Sequence, residues 1–591
     1  MNEPPQPGQA KARPQPLDRL TDPRVFAALL LALGAGLSFW YASRGLPFQD
    51  EGATLTGAAK ILRGGVFYHD IDAYPFPGAP YLLAFFMSIF GEQLSVARAL
   101  AGIAWCASLL SLYAVALQLL DRQRAALFGL ALLGFKFLAW PGFSVYLYSD
   151  LAFAFACIAM ALVASPAGSR ASLRLVGAGA CVAAAVLCKQ NLGLYLGAVI
   201  TALLAAPALL RQLSSSREVS SWKPLLSFVV GGAVPLGVVA TYFASEGLLG
   251  SFLYSGLIRP LTGYLPTSAI PFAPMLAWWQ LGQIQGAAAA TYFPTDLLQM
   301  LQLERLPGQG LYPAYWLAGE ILCRAVYSAV PIAYLWLAWR WLAARRGDEA
   351  DGPDPQLLGF GWMSLAVVAS AFPRADFFHV ICVFPPVLLL LFALARDRGA
   401  MRSPPARGTA PRALAVGVAI ALMAFGSLAL LHRSQLSHRV QLERADVYVE
   451  PSQAWMETLV RVVSRELGPD DPFFVYGHES QLYFLTGRFF PWPFSQLYPG
   501  MVGRDGGQTI ADMLATNPPR YIFQGIIDWP GLPAIPEYAP VLAEEIGRSY
   551  GHDTRFFERH GLPPGVESPP SWIAAALQPR AILLAPQRRA R

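Results

Sequence analysis

Two adjacent carboxylates, Asp50 and Glu51, are the first residues in this chain whose types and spacing suggest chemistry. A carboxylate that is held beside a hydroxyl group can take its proton as a general base. Acidic residues are also common in the first turn of a helix, where they complement the positive end of the helix dipole. The pair therefore predicts the start of a short amphipathic helix, and a general-base site at that start is the functional interpretation.

Further ionisable residues stand at the ends of apolar segments. Asp150 opens one segment and Lys189 closes another, while Arg374, Asp376 and His379 share one short loop. The structural interpretations are a helix N-cap for Asp150, snorkelling for Lys189 and an internal ion pair for Arg374 with Asp376. In the functional interpretation, Asp150 orients an acceptor or binds a metal, and the two cations bind a phosphate. His379 would then hydrogen-bond a sugar or ligate a metal.

The run His69-Asp70-Ile71-Asp72 contains groups that bind divalent cations, so it is a candidate metal site. The spacing alone is not specific. A clamp of positively charged side chains is the alternative, because such a clamp can neutralise a departing phosphate without a metal. The members of that clamp are Arg63, Lys189 and Arg374.

The elements that must position these residues are membrane-spanning helices. Hydrophobic residues make up 55% of the 591 and charged residues only 14%, whereas soluble domains carry roughly 25% charged residues. Apolar segments of about 17 to 25 residues, long enough to cross a bilayer as helices, recur from residue 24 to residue 432. They predict about eleven spans near 24–43, 94–120, 125–140, 149–165, 173–188, 190–210, 224–244, 312–339, 356–372, 377–395 and 412–431.

The basic residues predict which side of the membrane each loop faces, since cytoplasmic loops are rich in Lys and Arg. The N-terminal tail, 1–23, is basic and is predicted to be cytoplasmic, and every second loop after the first span is basic as well. The first external loop, 44–93, and the other candidate residues fall on the opposite side. Ionisable groups near membrane depth are costly unless they are paired or functional, so this asymmetry indicates a polar site at the external boundary.

Residues 433–591 contain no apolar run of membrane length and predict a soluble, extracytoplasmic α/β domain. Short buried strands are predicted at 472–477 and 520–524, and helices at 455–467 and 509–516. The six cysteines all lie in the apolar spans, so disulfides have no part in folding this domain. The net charge of +6 is scattered over short loops, which does not suggest a nucleic-acid partner.

The series from Asp50 to Arg98 resembles the GT-C superfamily of membrane glycosyltransferases. The similar branch contains the protein O-mannosyltransferases and the bacterial lipid A aminoarabinose transferases, a family 39-like group. The resemblance implies a catalytic aspartate at Asp50, with Glu51 as its neighbour, and an acidic residue of a Tyr-x-Asp element at Asp70. It also implies a donor sugar on a polyprenyl phosphate. Where the family often has Pro-Pro-Leu, this chain has a different proline-rich turn at 75–80.

These features predict a multi-pass enzyme of the cell (inner) membrane that transfers a sugar from a polyprenyl-phosphate donor at the external face. Its expected partners are that donor, membrane lipid and an acceptor that is a glycan, a lipid or a protein, while a divalent metal ion is an open alternative as cofactor. Two other functions compete. One is a transporter or flippase of a lipid-linked or polar substrate, and the other is a GT-C-like oligosaccharide polymerase or ligase.

Overall fold

The chain folds into a bundle of long helices followed by a smaller α/β region. The computed structural model describes residues 22–47, 49–166, 168–213, 222–284, 286–294, 312–346, 354–395, 409–503, 505–525, 533–552 and 582–586. Residues 1–21 of the predicted N-terminal tail and the basic segments 214–221 and 396–408 lie outside the described residues.

Thirteen helices of the described residues form or border the bundle. In chain order they are α1 (Pro23–Ala42), α2 (Gln49–Leu62), α3 (Gly78–Phe90), α4 (Leu94–Leu119), α5 (Arg122–Leu138), α6 (Tyr148–Ala164), α7 (Ala171–Cys188), α8 (Gln190–Leu213), α9 (Lys223–Ser245), α10 (Tyr312–Arg346), α11 (Pro355–Ala369), α12 (Phe377–Leu394) and α13 (Thr409–Ser434). Short helical turns between α9 and α10 lie at 249–268, 273–280 and 286–292.

Each of the eleven predicted spans coincides with one of these helices, which confirms a polytopic helical membrane protein. Among the described residues, eight helices are long and apolar enough to cross a bilayer. Helices α6 and α11 are apolar but shorter, and α5 carries charged residues at its start. The number of spans therefore stays a prediction. Helix α3 has only 13 residues, which is too short to cross a bilayer.

Local sequence signals begin several of these helices. Asp22 accepts hydrogen bonds from the backbone N–H groups of Arg24 and Val25, and Pro23 occupies the first helical position of α1. Asp121 caps α5 and Asp376 caps α12 in the same manner. A side-chain oxygen at the N-cap satisfies backbone donors that have no partner within the helix.

Helices α7 and α9 approach each other closely at two glycines. A Cβ atom on Gly179 would lie 2.0 Å from the carbonyl oxygen of Phe228, and one on Gly231 would lie 2.0 Å from that of Val176. Only glycine permits this backbone contact, which is a common way for membrane helices to pack.

A buried ion pair fixes the loop that precedes α10. The Nε of Arg324 donates to Glu320 over 2.8 Å, and both side chains are almost fully buried. The other guanidinium nitrogens donate to the carbonyl oxygens of Pro274, Ala277 and Gln280. Because every charge has a partner, this pair can lie inside the protein and hold the loop against α10.

The C-terminal α/β region confirms the predicted fold class. A hairpin of β1 (His438–Gln441) and β2 (Asp446–Val449) precedes a four-stranded sheet of order β3-β4-β6-β5. Strands β3 (Phe473–Tyr476) and β4 (Tyr521–Gln524) run parallel, whereas β5 (Tyr550–His552) and β6 (Ile582–Pro586) add antiparallel pairs. Its helices are α14 (Trp455–Glu466), α15 (Gln481–Thr486), α16 (Gln508–Thr516), the single turn Ile535–Tyr538 and α17 (Pro540–Ser549).

This region is hydrogen-bonded to the first loop of the bundle along much of its length. The backbone of Tyr448 exchanges hydrogen bonds with Ser43 and Gly45, each over 2.8 Å. Farther along the loop, the Asp72 N–H donates to the Pro493 carbonyl over 2.9 Å. The C-terminal α/β region is therefore attached to the segment that contains the predicted catalytic residues.

Candidate active site

Asp50 lies in the first turn of α2, which begins where the first loop turns back toward the bundle. Its side chain is half-buried and interacts electrostatically with His379, Arg374 and Asp376. Burial raises the pKa of Asp50 above its ordinary value, while His379, a hydrogen bond with Gln496, and Arg374 partly offset that rise. Once ionised, a carboxylate of raised pKa is a stronger base than an ordinary aspartate.

The loop before α12 presents a connected cluster of three ionisable groups. Asp376 accepts a hydrogen bond from Arg374 Nε over 2.5 Å, and it makes a second one with His379 Nδ1 over 2.7 Å. Burial raises the pKa of Asp376, but His379 and Arg374 outweigh this effect and hold it below its ordinary value. Asp376 thus remains ionised and orients both partners. Tyr264 is a second hydrogen-bond partner of Arg374, whereas Nε2 of His379 makes no hydrogen bond within the described residues.

Asp150 and Lys189 extend the cluster from two other helices. Asp150 at the start of α6 accepts the Phe143 N–H over 2.7 Å and is almost fully buried, so it fixes the loop between α5 and α6. Lys189, between α7 and α8, interacts electrostatically with Asp150 and Asp376. No hydrogen bond of its ammonium group occurs within the described residues. Lys189 is half-buried, and burial lowers its pKa, while Cys382, Asp150 and Asp376 favour its charged form.

Three tyrosines border Asp50 from three separate elements. They are Tyr148 at the start of α6, Tyr264 in the turn 260–264 and Tyr498 in the C-terminal α/β region. Tyr264 is also a hydrogen-bond partner of Arg374, and burial raises its pKa to about 12. Burial raises the pKa of Tyr498 as well, so both hydroxyls stay neutral. Rings with a polar tip suit a ligand that carries both apolar edges and hydroxyl groups, as a sugar does.

Glu51, expected to act beside Asp50, points away from this cluster. Its carboxylate is fully buried, accepts two hydrogen bonds from Arg98 over 3.2 and 3.1 Å, and accepts a third from the Tyr146 N–H over 3.1 Å. Arg98 also donates to four carbonyl oxygens of the loop 42–46. Every oxygen of Glu51 is occupied, which gives it a role in positioning the loop that precedes Asp50.

Arg63 is not in the cluster, which removes it from the predicted clamp. Its guanidinium bonds Glu92 over 3.2 Å and stacks on Phe489, and Glu92 also pairs with Arg444. This network joins the end of α2 to the C-terminal α/β region. Lys189 and Arg374 are the two members of the predicted clamp that the fold does bring together, through their shared neighbour Asp376.

The three candidate metal ligands are not brought to one site. His69 and Asp70 bond each other over 2.8 Å on the surface, where Asp70 also accepts the Val66 N–H. Asp72 instead pairs with Arg259 over 2.5 Å. In the part of the chain that the structure describes, no group of three or more His, Cys, Asp or Glu side chains could hold a metal ion.

Several residues of the site were not identified by the sequence reasoning. Arg98 was noted only as part of a motif, although its place four residues into an apolar helix was a signal that it had a buried partner. Gln496 and Tyr498 lie in a loop of the C-terminal α/β region with no local pattern. Helix α2 was predicted as a short amphipathic helix, but most of its surface is buried. The C-terminal α/β region covers the face that would otherwise be exposed.

Comparison with protein families supports the resemblance found in the first external loop. Residues 74–230 match the model of a family described as dolichyl-phosphate-mannose-protein mannosyltransferase, which confirms the resemblance to membrane glycosyltransferases. The match contains Asp150 and Lys189 and begins after Asp50. Among curated protein sequences, none matches this chain.

Solved structures of three membrane glycosyltransferases are similar to this chain at low sequence identity. The apo oligosaccharyltransferase from Archaeoglobus fulgidus has a TM-score of 0.44 and 12% identity, over 84% of this chain and 69% of its own. ArnT from Cupriavidus metallidurans, bound to undecaprenyl phosphate, has a TM-score of 0.41 and 15% identity, over 95% and 97%. Arabinosyltransferase EmbB from Mycobacterium smegmatis has a TM-score of 0.31 and 16% identity, over 73% and 43%.

Proposed function

We propose that this chain transfers a sugar from a polyprenyl-phosphate donor to an acceptor hydroxyl, with Asp50 as the general base. The observation that carries the proposal is the convergence of Asp50 with Arg374, Asp376 and His379, which come from two segments more than 320 residues apart in sequence. A base and fixed cations on one site are what glycosyl transfer from a phosphate needs.

The proposed reaction is a single displacement. The acceptor oxygen forms a bond to the anomeric carbon as its proton passes to Asp50, while the bond between that carbon and the phosphate oxygen breaks. Positive charge develops on the sugar ring in the transition state, and negative charge develops on the departing phosphate. Arg374 and Lys189 neutralise that phosphate, which leaves as the polyprenyl-phosphate anion. The proton on Asp50 is then released to solvent.

His379 is assigned a binding role in this scheme. Its Nδ1 is engaged by Asp376 over 2.7 Å, which leaves Nε2 for a hydroxyl of the sugar or an oxygen of the phosphate. A carboxylate that holds one ring nitrogen also fixes the orientation of the imidazole. Asp376 thereby orients one cation and one imidazole toward the same ligand.

The proposal includes the location of the site at the external face of the cell (inner) membrane. Arg122 and Arg124 at the start of α5, and Arg345 and Arg346 at the end of α10, lie at the opposite ends of their helices from the cluster. By the positive-inside rule, these basic ends face the cytoplasm. The C-terminal α/β region, which contacts the cluster, is then extracytoplasmic.

The experiment that tests the proposal measures transfer of radiolabelled sugar from synthetic polyprenyl-phosphate monosaccharides to membrane extracts. The purified wild type is compared with Asp50→Asn, and Asp446→Asn is the matched control because Asp446 is exposed and remote from the site. We expect transfer by the wild type and the control and at least a 100-fold loss in Asp50→Asn. Parallel assays with a chelator test the dependence on a metal ion.

Three outcomes would contradict the proposal. Full activity of Asp50→Asn would remove Asp50 as the base. No transfer from monosaccharide donors, together with transfer from lipid-linked oligosaccharides, would favour the polymerase or ligase. Movement of an intact lipid-linked substrate across vesicles, without release of polyprenyl phosphate, would favour the transporter.

A further inference from the structure

The first turn of α2 is held by side chains of the C-terminal α/β region. The carbonyl oxygen of Gln49 accepts a hydrogen bond from Ser480 Oγ over 2.6 Å and another from Gln496 Nε2 over 3.1 Å. Both donors are buried. Gln49 immediately precedes Asp50, so these bonds fix the peptide that carries the proposed base.

The contact between α2 and α15 is too close to permit sliding. A Cβ atom on Gly52 would lie 2.4 Å from the backbone nitrogen of Gln481, so glycine is needed there. Thr56, one turn later, donates to the Ser480 carbonyl over 3.0 Å. The helix that carries Asp50 is therefore set in its position by a region that begins almost 400 residues later in the sequence.

Gln496 differs from the other contacts because it also reaches the functional group. Its Nε2 lies 3.1 Å from the Gln49 carbonyl oxygen and 3.5 Å from Ser480 Oγ. Hydrogen bonding by the Gln496 side chain also opposes the rise in the pKa of the adjacent Asp50 carboxyl, so this amide lies within reach of both residues. The segment that carries Gln496 is anchored to the first loop on both sides, by Pro493 with Asp72 and by Pro499 with the Tyr74 hydroxyl over 2.9 Å.

We propose that Gln496 is a positioning residue that holds the Asp50 carboxylate from the C-terminal α/β region, which makes this region a functional part of the active site. The inference rests on the proposed function, in which Asp50 is the base. A donor to the ionised carboxylate stabilises the form that accepts the proton and fixes its direction. The region therefore does more than attach to the membrane bundle.

The electrostatic surroundings of Asp50 determine how this proposal can be tested. Besides the uncharged amide of Gln496, six charged or titratable groups face the Asp50 carboxylate. They are His379, Arg374, Asp376, Tyr148, Tyr264 and Tyr498. All six remain in place when Gln496 alone is changed. The effect of one donor can thus be measured against a constant background.

The test replaces Gln496 with methionine, which keeps the length of the side chain and removes the donor. Isotope-edited infrared spectroscopy of the detergent-solubilised chain titrates the Asp50 carboxyl, whose band is identified by its loss in Asp50→Asn. Loss of a donor to the ionised form should raise the titration midpoint by roughly one pH unit. Gln496→Glu should raise it further, because a second negative charge opposes ionisation.

Two controls separate positioning of the carboxylate from general structure. Gln508→Met removes an exposed glutamine whose amide bonds Asp512, and it should leave the midpoint unchanged. Thr56→Val removes a hydrogen bond between α2 and the Ser480 carbonyl that involves neither Gln496 nor Asp50, so any effect it has on folding should not move the midpoint. In transfer assays, Gln496→Met should lower kcat roughly ten-fold with KM for the donor nearly unchanged.

An unchanged midpoint in Gln496→Met, or an equal shift in Thr56→Val, would overturn the proposal. The spectroscopic measurement does not need a substrate, so it can be read even if the wild type transfers no sugar. In that case the proposed function fails, but the titration still shows whether Gln496 positions the Asp50 carboxylate. If the wild type is active and the midpoint does not move, only the positioning role fails.

Discussion

Asp50 and Glu51 are neighbours in sequence but belong to two different regions of the molecule. Glu51 lies in a closed ion pair with Arg98, where each oxygen has a partner and no solvent reaches either side chain. Asp50 lies in an open cluster with Arg374, Asp376 and His379, in which the Nε2 atom of His379 makes no hydrogen bond among the described residues. The partners of a buried charged side chain therefore indicate whether its role is structural or chemical. Its position in a sequence motif does not.

The same distinction applies elsewhere in the bundle. The pair of Glu320 and Arg324 repeats the arrangement of Glu51 and Arg98, with an arginine that also donates to a run of loop carbonyls. Both pairs fix a loop against a helix of the bundle. In each the ions are fully desolvated, which is tolerable only because their hydrogen bonds are complete.

Removing one partner of the closed pair should have the largest effect. Arg98→Met leaves Glu51 buried without a counter-charge, which should cost about 3–5 kcal/mol of folding free energy. We expect little monodisperse protein in detergent and a strongly lowered melting temperature. Arg439→Met is the control, since its partner Asp446 is exposed and such pairs contribute about 0–1 kcal/mol. A variant at Arg98 that melts like the wild type would contradict the comparison.

Disrupting the cluster of Arg374, Asp376 and His379 should lower the transfer rate strongly and the stability of the fold only slightly. Asp376→Asn removes the acceptor that orients Arg374 and His379, so transfer should fall about 100-fold through misplacement of both groups. Because the folded pKa of Asp376 is lowered, its contribution to stability is present above the unfolded pKa and is lost as the pH falls. The variant should thus melt slightly below the wild type at neutral pH. Equal transfer rates would show that the cluster has no catalytic part.

The two predicted phosphate ligands can be tested through the donor. Lys189→Ala should raise KM for the polyprenyl-phosphate sugar roughly ten-fold, since one charge-assisted hydrogen bond is lost. Lys223→Ala is the matched control, because Lys223 is exposed at the start of α9 and far from the cluster. Steady-state kinetics over a range of donor concentrations gives the answer. A normal KM in Lys189→Ala would remove this residue from the phosphate site.

The smallest expected effect is a gain in stability. The folded pKa of Asp50 is raised, so its contribution to stability is present below the unfolded pKa and is lost as the pH rises through the folded value. At neutral pH, Asp50→Asn should therefore melt about 2–4 °C above the wild type, and the difference should vanish below about pH 4. Melting curves in detergent at both pH values check this sign. A lower melting temperature at neutral pH would mean that Asp50 is a structural charge like Glu51.

The sequence predicted the helices with good accuracy because each depends on local composition. Apolar segments of bilayer length, capping residues such as Asp22 and Asp376, and the short buried strands of the C-terminal α/β region are all readable along the chain. Asp50, Lys189, Arg374 and His379 are candidates because an ionisable residue at the end of an apolar segment stands out, and their functional roles stay predictions. Glu51 was predicted as the neighbour of Asp50 and Arg63 as one cation of a clamp, but the sequence does not determine the direction in which a side chain projects.

The sequence by itself determined a polytopic helical protein with an α/β region at its C-terminal end, since hydrophobicity and periodicity act over a few neighbouring residues. Only the tertiary structure decided that Glu51 is paired with Arg98 and that Asp50 lies near Arg374, Asp376 and His379. It also decided that Gln496 acts on the turn of Asp50, through a hydrogen bond to a residue 447 positions earlier. Such pairings depend on how whole helices and the C-terminal α/β region pack, and no local pattern encodes them.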